Sequence, residues 1–143
     1  MEPVDLTKNP PRSAWEQLDG LYMMPRTIDK LRAKLPGGAL GQYHIDGFSK
    51  RLLEAIGVAE EQLQDVVARA KSDDDVAAWL REHADRSKYD EINNRLANRS
   101  YDDVADKESF NKKYPLAATS TSKRLFDVMD EDDRAMFEPT QQA

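Results

Sequence analysis

Apolar residues recur along this chain at three- and four-residue intervals, in short runs separated by turn-forming clusters. Met24, Ile28, Leu31 and Leu35 form one stripe beside Pro25, which suits a first helical position because its missing N–H has no partner there anyway. Pro36-Gly37-Gly38 stops that helix. Phe48, Leu52, Ala55 and Ile56 define the next, with Gly57 as its left-handed terminator. Leu63, Val66, Val67 and Ala70 fall at i, i+3, i+4 and i+7, a clear amphipathic pattern. Ser72 caps a following helix whose first turn holds three aspartates, and Val76, Trp79, Leu80 and His83 share its expected inner face. Ser87 opens a helix carrying Tyr89, Ile92 and Leu96; Ser100 opens a weaker one with Tyr101, Val104 and Ala105. Ser120 or Thr121 caps a last helix with Leu125, Phe126 and Met129.

Elsewhere the pattern is broken. The Pro10-Pro11 pair forbids helix at the start of the chain, which is expected to run extended. Ser13-x-x-Glu16 reads as a capping box for a short helix over 14–18, ended by Asp19-Gly20. Residues 39–47 read as a glycine-rich loop with a brief extended piece at 42–45. Residues 106–119 are ambiguous, with Phe110, Tyr114 and Leu116 as anchors around Pro115. The acidic run 130–133 and the residues after it read as solvated. No segment alternates as a strand would. The expected fold is therefore all-α: one compact domain over 1–143, of about six to eight short helices, without a fixed-period repeat. It has an extended arm over 1–12 and an acidic, partly frayed tail over 130–143.

Charge narrows the functional classes. The net charge is −6, which disfavours nucleic acid and anionic membrane surfaces, both of which select a cationic footprint. The asymmetry matters more: residues 1–52 sum to +2 and residues 53–143 to −8. The N-terminal third is thus the place for an anionic ligand. The absence of cysteine removes disulfides, thiolate nucleophiles and cysteine-based metal sites. The N-terminus lacks a signal-peptide pattern and no run approaches the ~18 apolar residues of a membrane span, so a soluble cytoplasmic protein is expected.

Reactive side chains crowd in one place, residues 24–44. Arg26 lies in the first turn of the expected helix, where free N–H groups and a guanidinium together favour a carboxylate or phosphate. Arg26, Asp29 and Lys30 are neighbours at i, i+3 and i+4, so Asp29 can orient either cation. After the glycine turn, Tyr43 offers a hydrogen bond and His44 a group that titrates near neutrality, with Asp46 two residues on as its orienting carboxylate. The competing reading makes Arg26, Asp29, Lys30 and Lys34 the solvated face of an amphipathic helix.

Other candidates are weaker. His83 reads as a packed core histidine. No metal-site spacing exists, and 130–134 fails the calcium-loop pattern because it lacks the glycine and puts Arg134 at a ligand position. Gly37-Gly38-x-x-Gly41 is neither a Walker loop nor a dinucleotide fingerprint. No metal or cofactor is expected.

Asp5-Leu6-Thr7-Lys8 with Pro11-Arg12-Ser13, Pro25-Arg26-x-x-Asp29-Lys30-x-Arg32-Ala33, Gly41-x-Tyr43-His44, Ile56-Gly57, Ala78-Trp79-Leu80 and Leu125-Phe126-Asp127 together resemble the bacterial domain of unknown function 5069 family, over essentially the whole length. The Pro-Arg-x-x-Asp-Lys-x-Arg block is the specific part. The resemblance implies a small soluble bacterial protein and brings no activity with it.

Two functional readings result. In the first, Arg12, Arg26 and Lys30 hold an anionic or carbonyl-bearing small molecule, Asp29 orients the cations, and Tyr43 and His44 are catalytic candidates for cofactor-independent acid–base chemistry of the isomerase, cyclase, lyase or hydrolase type. In the second, the chain is a non-catalytic adaptor whose acidic C-terminal half meets a basic protein partner, with Phe126, Met129, Met136 and Phe137 as apolar anchors. No pattern in the sequence specifies an oligomeric state.

Overall fold

The computed structural model describes residues 1–45 and 47–137. Its first regular element differs from expectation. Half of the Ser13 capping box forms: Glu16 accepts from the Ser13 N–H at 3.2 Å, while Ser13 Oγ accepts from the Trp15 N–H at 3.1 Å instead of from the Glu16 N–H. No helix follows: the chain is extended from Gln17, and Asp19 and Gly20 both take positive φ, 52° and 78°. That is the two-residue turn of a hairpin, and a tight Asp-Gly pair favours it over a helix stop. Strands β1 (Gln17–Leu18) and β2 (Leu21–Tyr22) pair antiparallel across it.

The remaining elements are helical, as periodicity predicts. They are α1 (Met24–Ala33), α2 (Phe48–Ile56), α3 (Glu60–Arg69), α4 (Asp73–His83), α5 (Tyr89–Ala97), α6 (Lys107–Lys113) and α7 (Leu125–Phe137), with single 3-10 turns at Arg86–Lys88 and Tyr101–Asp103. The fold is all-α apart from the small hairpin, with seven α-helices among the described residues. Gly57 ends α2 at φ 74°, the left-handed conformation its position requires. Pro25 is the second rather than the first residue of α1. The ambiguous stretch resolves into α6 followed by turns. Residues 42–45 form no strand, and the N-terminal arm instead makes an isolated bridge, Asp5 with Ala39.

One core cluster joins all seven helices except α6, which packs Phe110 onto its edge. At its centre Phe126 of α7 meets Trp15, Phe48 and Tyr22 edge to face, with ring centroids at 5.0, 5.9 and 6.2 Å. Such contacts add to the area-driven term. The Trp15 indole N–H donates to Asp127 at 2.9 Å, which fixes the rotation of α7 about its axis. Phe126 and Met129 are therefore fully buried, and neither is a surface anchor.

Two further expectations fail. His83 is exposed rather than in the core; its ring stacks on Trp79 at 4.4 Å on the rim of α4. The acidic run is not a solvated face: Asp132 and Asp133 are buried within α7. The rest of the expected tail, 138–143, lies outside the described residues. Among the described residues no helix is long and apolar enough to cross a membrane.

Phe126→Ala should destabilise the fold by about 3–5 kcal/mol, the cost of emptying a packed aromatic position. Met136→Ala, at an exposed position of the same helix, should stay within about 0.5 kcal/mol. Urea unfolding of the two variants checks the contrast.

Candidate functional site

Nine of the ten residues of α1 are buried, so this helix has no solvated face. Each of its charged side chains needs a partner, because an unpaired buried charge is too costly to keep. Arg26 is fully buried. Its guanidinium meets Asp133 of α7 in a two-pronged contact, Nη1 to Oδ2 at 2.7 Å and Nη2 to Oδ1 at 3.4 Å, and Nη1 also donates to the Arg12 carbonyl at 3.3 Å. Nε has no hydrogen-bond partner among the described residues. The pairing holds the guanidinium above its ordinary pKa despite burial, which acts the other way as the largest single effect.

Asp29 does not orient Arg26 or Lys30. It accepts from the Arg12 backbone N–H at 2.8 Å and from the Arg12 guanidinium at 3.0 to 3.3 Å. Arg12 in turn reaches Asp73 at the start of α4. Arg12 and Asp29 thus clamp the arm to α1 and α4, away from Tyr43 and His44. Their positions answer the sequence expectation directly: the two residues form a structural bridge, and a ligand would have to break it to use Arg12.

Lys30 and Tyr43 do come together. The Lys30 ammonium donates to the His44 carbonyl at 2.8 Å and lies 5.9 Å from the centre of the Tyr43 ring. The Arg26 guanidinium stands 5.5 Å from the same ring, which is sandwiched further by Phe137 at 6.4 Å. The Tyr43 hydroxyl donates to Asp133 Oδ1 at 2.7 Å. Burial and that carboxylate push the phenol well above its ordinary pKa, so it stays a neutral donor committed to Asp133. His44 is exposed at the rim, and Asp46 lies outside the described residues.

Between these groups opens a cleft of about 40 Å³, lined by Lys30, Tyr43 and His44 on one side and by Tyr114, Asp132, Asp133 and Met136 on the other. Asp132 was not among the residues singled out by sequence. One carboxylate oxygen accepts from the Leu116 N–H at 3.1 Å; the other is buried without a hydrogen-bond partner among the described residues. Burial first, then the neighbouring charges of Asp133 and Glu131, raise its pKa above the usual 3.8. A signal for both aspartates was present. Phe126, Met129 and Asp133 follow a 0, 3, 7 spacing, as do Leu125, Val128 and Asp132, so both acids extend the apolar stripe of α7.

A family model described as a domain of unknown function, DUF5069, matches residues 8–135. The chain belongs to this family. The DUF5069 match takes in every residue of the cleft except Met136, together with the Arg12–Asp29 clamp, and omits residues 1–7 and 136–143. No curated protein matches the chain.

Removing one partner of the buried pair should cost far more than removing both. Asp133→Ala or Arg26→Ala should destabilise by about 3–5 kcal/mol, whereas Arg26→Met with Asp133→Leu should recover most of that loss. A double-mutant cycle by urea unfolding reads it. For Asp132 the sign follows from its raised pKa: the folded state holds more protons just above pH 3.8, so this residue's contribution to stability falls as pH rises through that window. Asp132→Asn should therefore gain stability relative to the parent as the pH rises above the usual 3.8, measured by the same unfolding assay.

Proposed function

We propose that the cleft between Lys30, the Tyr43-His44 loop and the acidic turn of α7 binds a carbonyl or carboxylate group and moves a proton there, with Asp132 as the acid–base residue. One observation carries this reading: Asp132 lines the cleft with a raised pKa and with one carboxyl oxygen that is buried and has no hydrogen-bond partner among the described residues. A structural carboxylate would be expected to satisfy both oxygens. An acid–base group needs a pKa raised toward the working pH and one oxygen left for the substrate.

The other residues take supporting parts. Lys30, fixed by the His44 carbonyl, supplies positive charge where an enolate or oxyanion would develop. His44, exposed on the opposite lip, is the group through which a proton can exchange with water. Tyr43 and Arg26 are positioning residues: they hold Asp133, and Asp133 holds the turn of α7 that presents Asp132. At about 40 Å³ the cleft accepts one functional group, with the rest of the molecule lying outside it. The reaction class that fits is proton abstraction next to a carbonyl, the common step of isomerases and lyases.

The adaptor reading draws less support. Its proposed anchors Phe126 and Met129 are core residues, and two of its acids face inward.

Exchange of α-protons in deuterated water tests the proposal. Small ketones and keto acids incubated with the protein should take up deuterium, followed by proton NMR. Asp132→Asn should slow uptake by about 10²–10⁴-fold, with the fold retained by circular dichroism. Equal rates in parent and variant across the ketone and keto-acid series would remove Asp132 from the chemistry.

A further inference from the structure

A second and larger cavity lies on the other side of Tyr114. It measures about 280 Å³. Its walls are of two kinds. Phe48, Phe110 and Tyr114 provide flat apolar surface, and the Phe110 and Tyr114 rings are 4.8 Å apart at a tilt of 37°. Arg51 of α2 and Arg99, just past the end of α5, provide charge at the edge.

The charge at this cavity runs against that of the chain. Three cations line it, with Lys113 as the third, against the single carboxylate of Asp106. That carboxylate already accepts from the Ser109 N–H at 3.0 Å in capping α6. The protein as a whole carries −6. Neither Arg51 nor Arg99 forms an ion pair among the described residues, as is also true of Arg95, Arg124 and Arg134, but only these two arginines line this cavity. Burial, and then the Arg51 charge, push the half-buried Arg99 below its ordinary pKa, with Arg95 adding to this and Asp103 opposing it. Two guanidiniums that repel one another beside an apolar cavity are stabilised by an anion that sits between them.

We propose that this cavity is a binding site for a small hydrophobic monoanion, its carboxylate held by Arg51 and Arg99 and its flat apolar body against Phe48, Phe110 and Tyr114. A bicyclic aromatic acid is the right size, since the volume falls near the lower end of small-molecule sites, which begin at about 300 Å³. The aromatic walls select against short polar acids, because those bury no apolar surface in exchange for desolvating the carboxylate. The proposal concerns binding alone and stands independently of proton transfer at Asp132.

Calorimetric titration of the full chain with 2-naphthoate tests it, with 2-naphthamide and acetate as the uncharged and the non-apolar controls. The expected result is saturable 1:1 binding of naphthoate, with neither control competing. Arg51→Gln and Arg99→Gln should each weaken it by about tenfold, the loss of one charge-assisted contact. Arg51 is exposed, so its variant stays folded even if Arg99→Gln does not. Asp132→Asn should leave naphthoate affinity unchanged, so a failure of the acid–base reading does not touch this one. Absence of naphthoate binding, equal binding of the amide, or full affinity in Arg51→Gln would each overturn the proposal.

Discussion

Arg26 carries a full charge into a place from which water is excluded, and the surrounding architecture follows from that. Removing a guanidinium from water costs several kcal/mol even after the protein relaxes. The residue that offsets this cost, Asp133, lies 107 positions further along the chain. Arg26 and Asp133 therefore tie the first helix to the last. Since its hydrogen bonds are directional, the pair acts with the Trp15–Asp127 bond and the packing of Phe126 in setting which side of α7 faces inward. An apolar pair of equal volume could hold the two helices together; it would not select the rotation that brings the acidic turn against α1. Tyr43 adds to the same point. Its hydroxyl satisfies one oxygen of Asp133 while its ring covers the guanidinium, so the loop after α1 folds back over the pair.

The chemistry of the cleft is a consequence of that geometry. Holding Asp133 as a carboxylate beside Arg26 puts negative charge next to Asp132, in surroundings that already disfavour a second one. Two adjacent acids are thereby separated into different roles: one stays paired with the cation, and the other has its proton affinity raised. The two cavities divide the surface around Tyr114 in a similar way. The smaller is lined by two acids, two lysines and two tyrosines, the larger by arginines and aromatic rings, and only the Lys113-Tyr114 segment belongs to both.

Several features were readable directly from residue order. The stripe Leu63, Val66, Val67, Ala70 gives α3, Gly57 gives the end of α2 and Ser72 the start of α4, whereas Ser87 lies within a 3-10 turn ahead of α5, Ser100 opens only a 3-10 turn, and the last helix starts at Leu125, beyond Ser120 and Thr121. Local rules suffice for the first three because the neighbours that matter are within one or two turns. The hairpin escaped the same rules, since Ser13 and Glu16 make one contact of a helix start, yet the chain is extended from Gln17 into the left-handed pair Asp19-Gly20. The candidate cluster was half legible. Lys30, Tyr43 and His44 do converge, as their spacing around the glycine turn suggested. Arg12 and Asp29 bind each other instead, and Asp132, although its spacing with Leu125 and Val128 marked it, stood out only once α7 was packed.

The sequence by itself determined the helical class, the end of α2 and the start of α4, the concentration of charge on α1 and the absence of cysteine chemistry. Each of these depends on short-range geometry or on composition. Tertiary structure alone decided the fate of the charges. Whether Arg26 faces water or the core depends on a carboxylate more than a hundred residues away, and on nine of ten α1 positions being covered by other elements. The acidic run shows the same division: its four consecutive acids read as solvated by composition. Two of them are buried because Phe126 locks the rotation of α7 and the cation of α1 draws Asp133 inward.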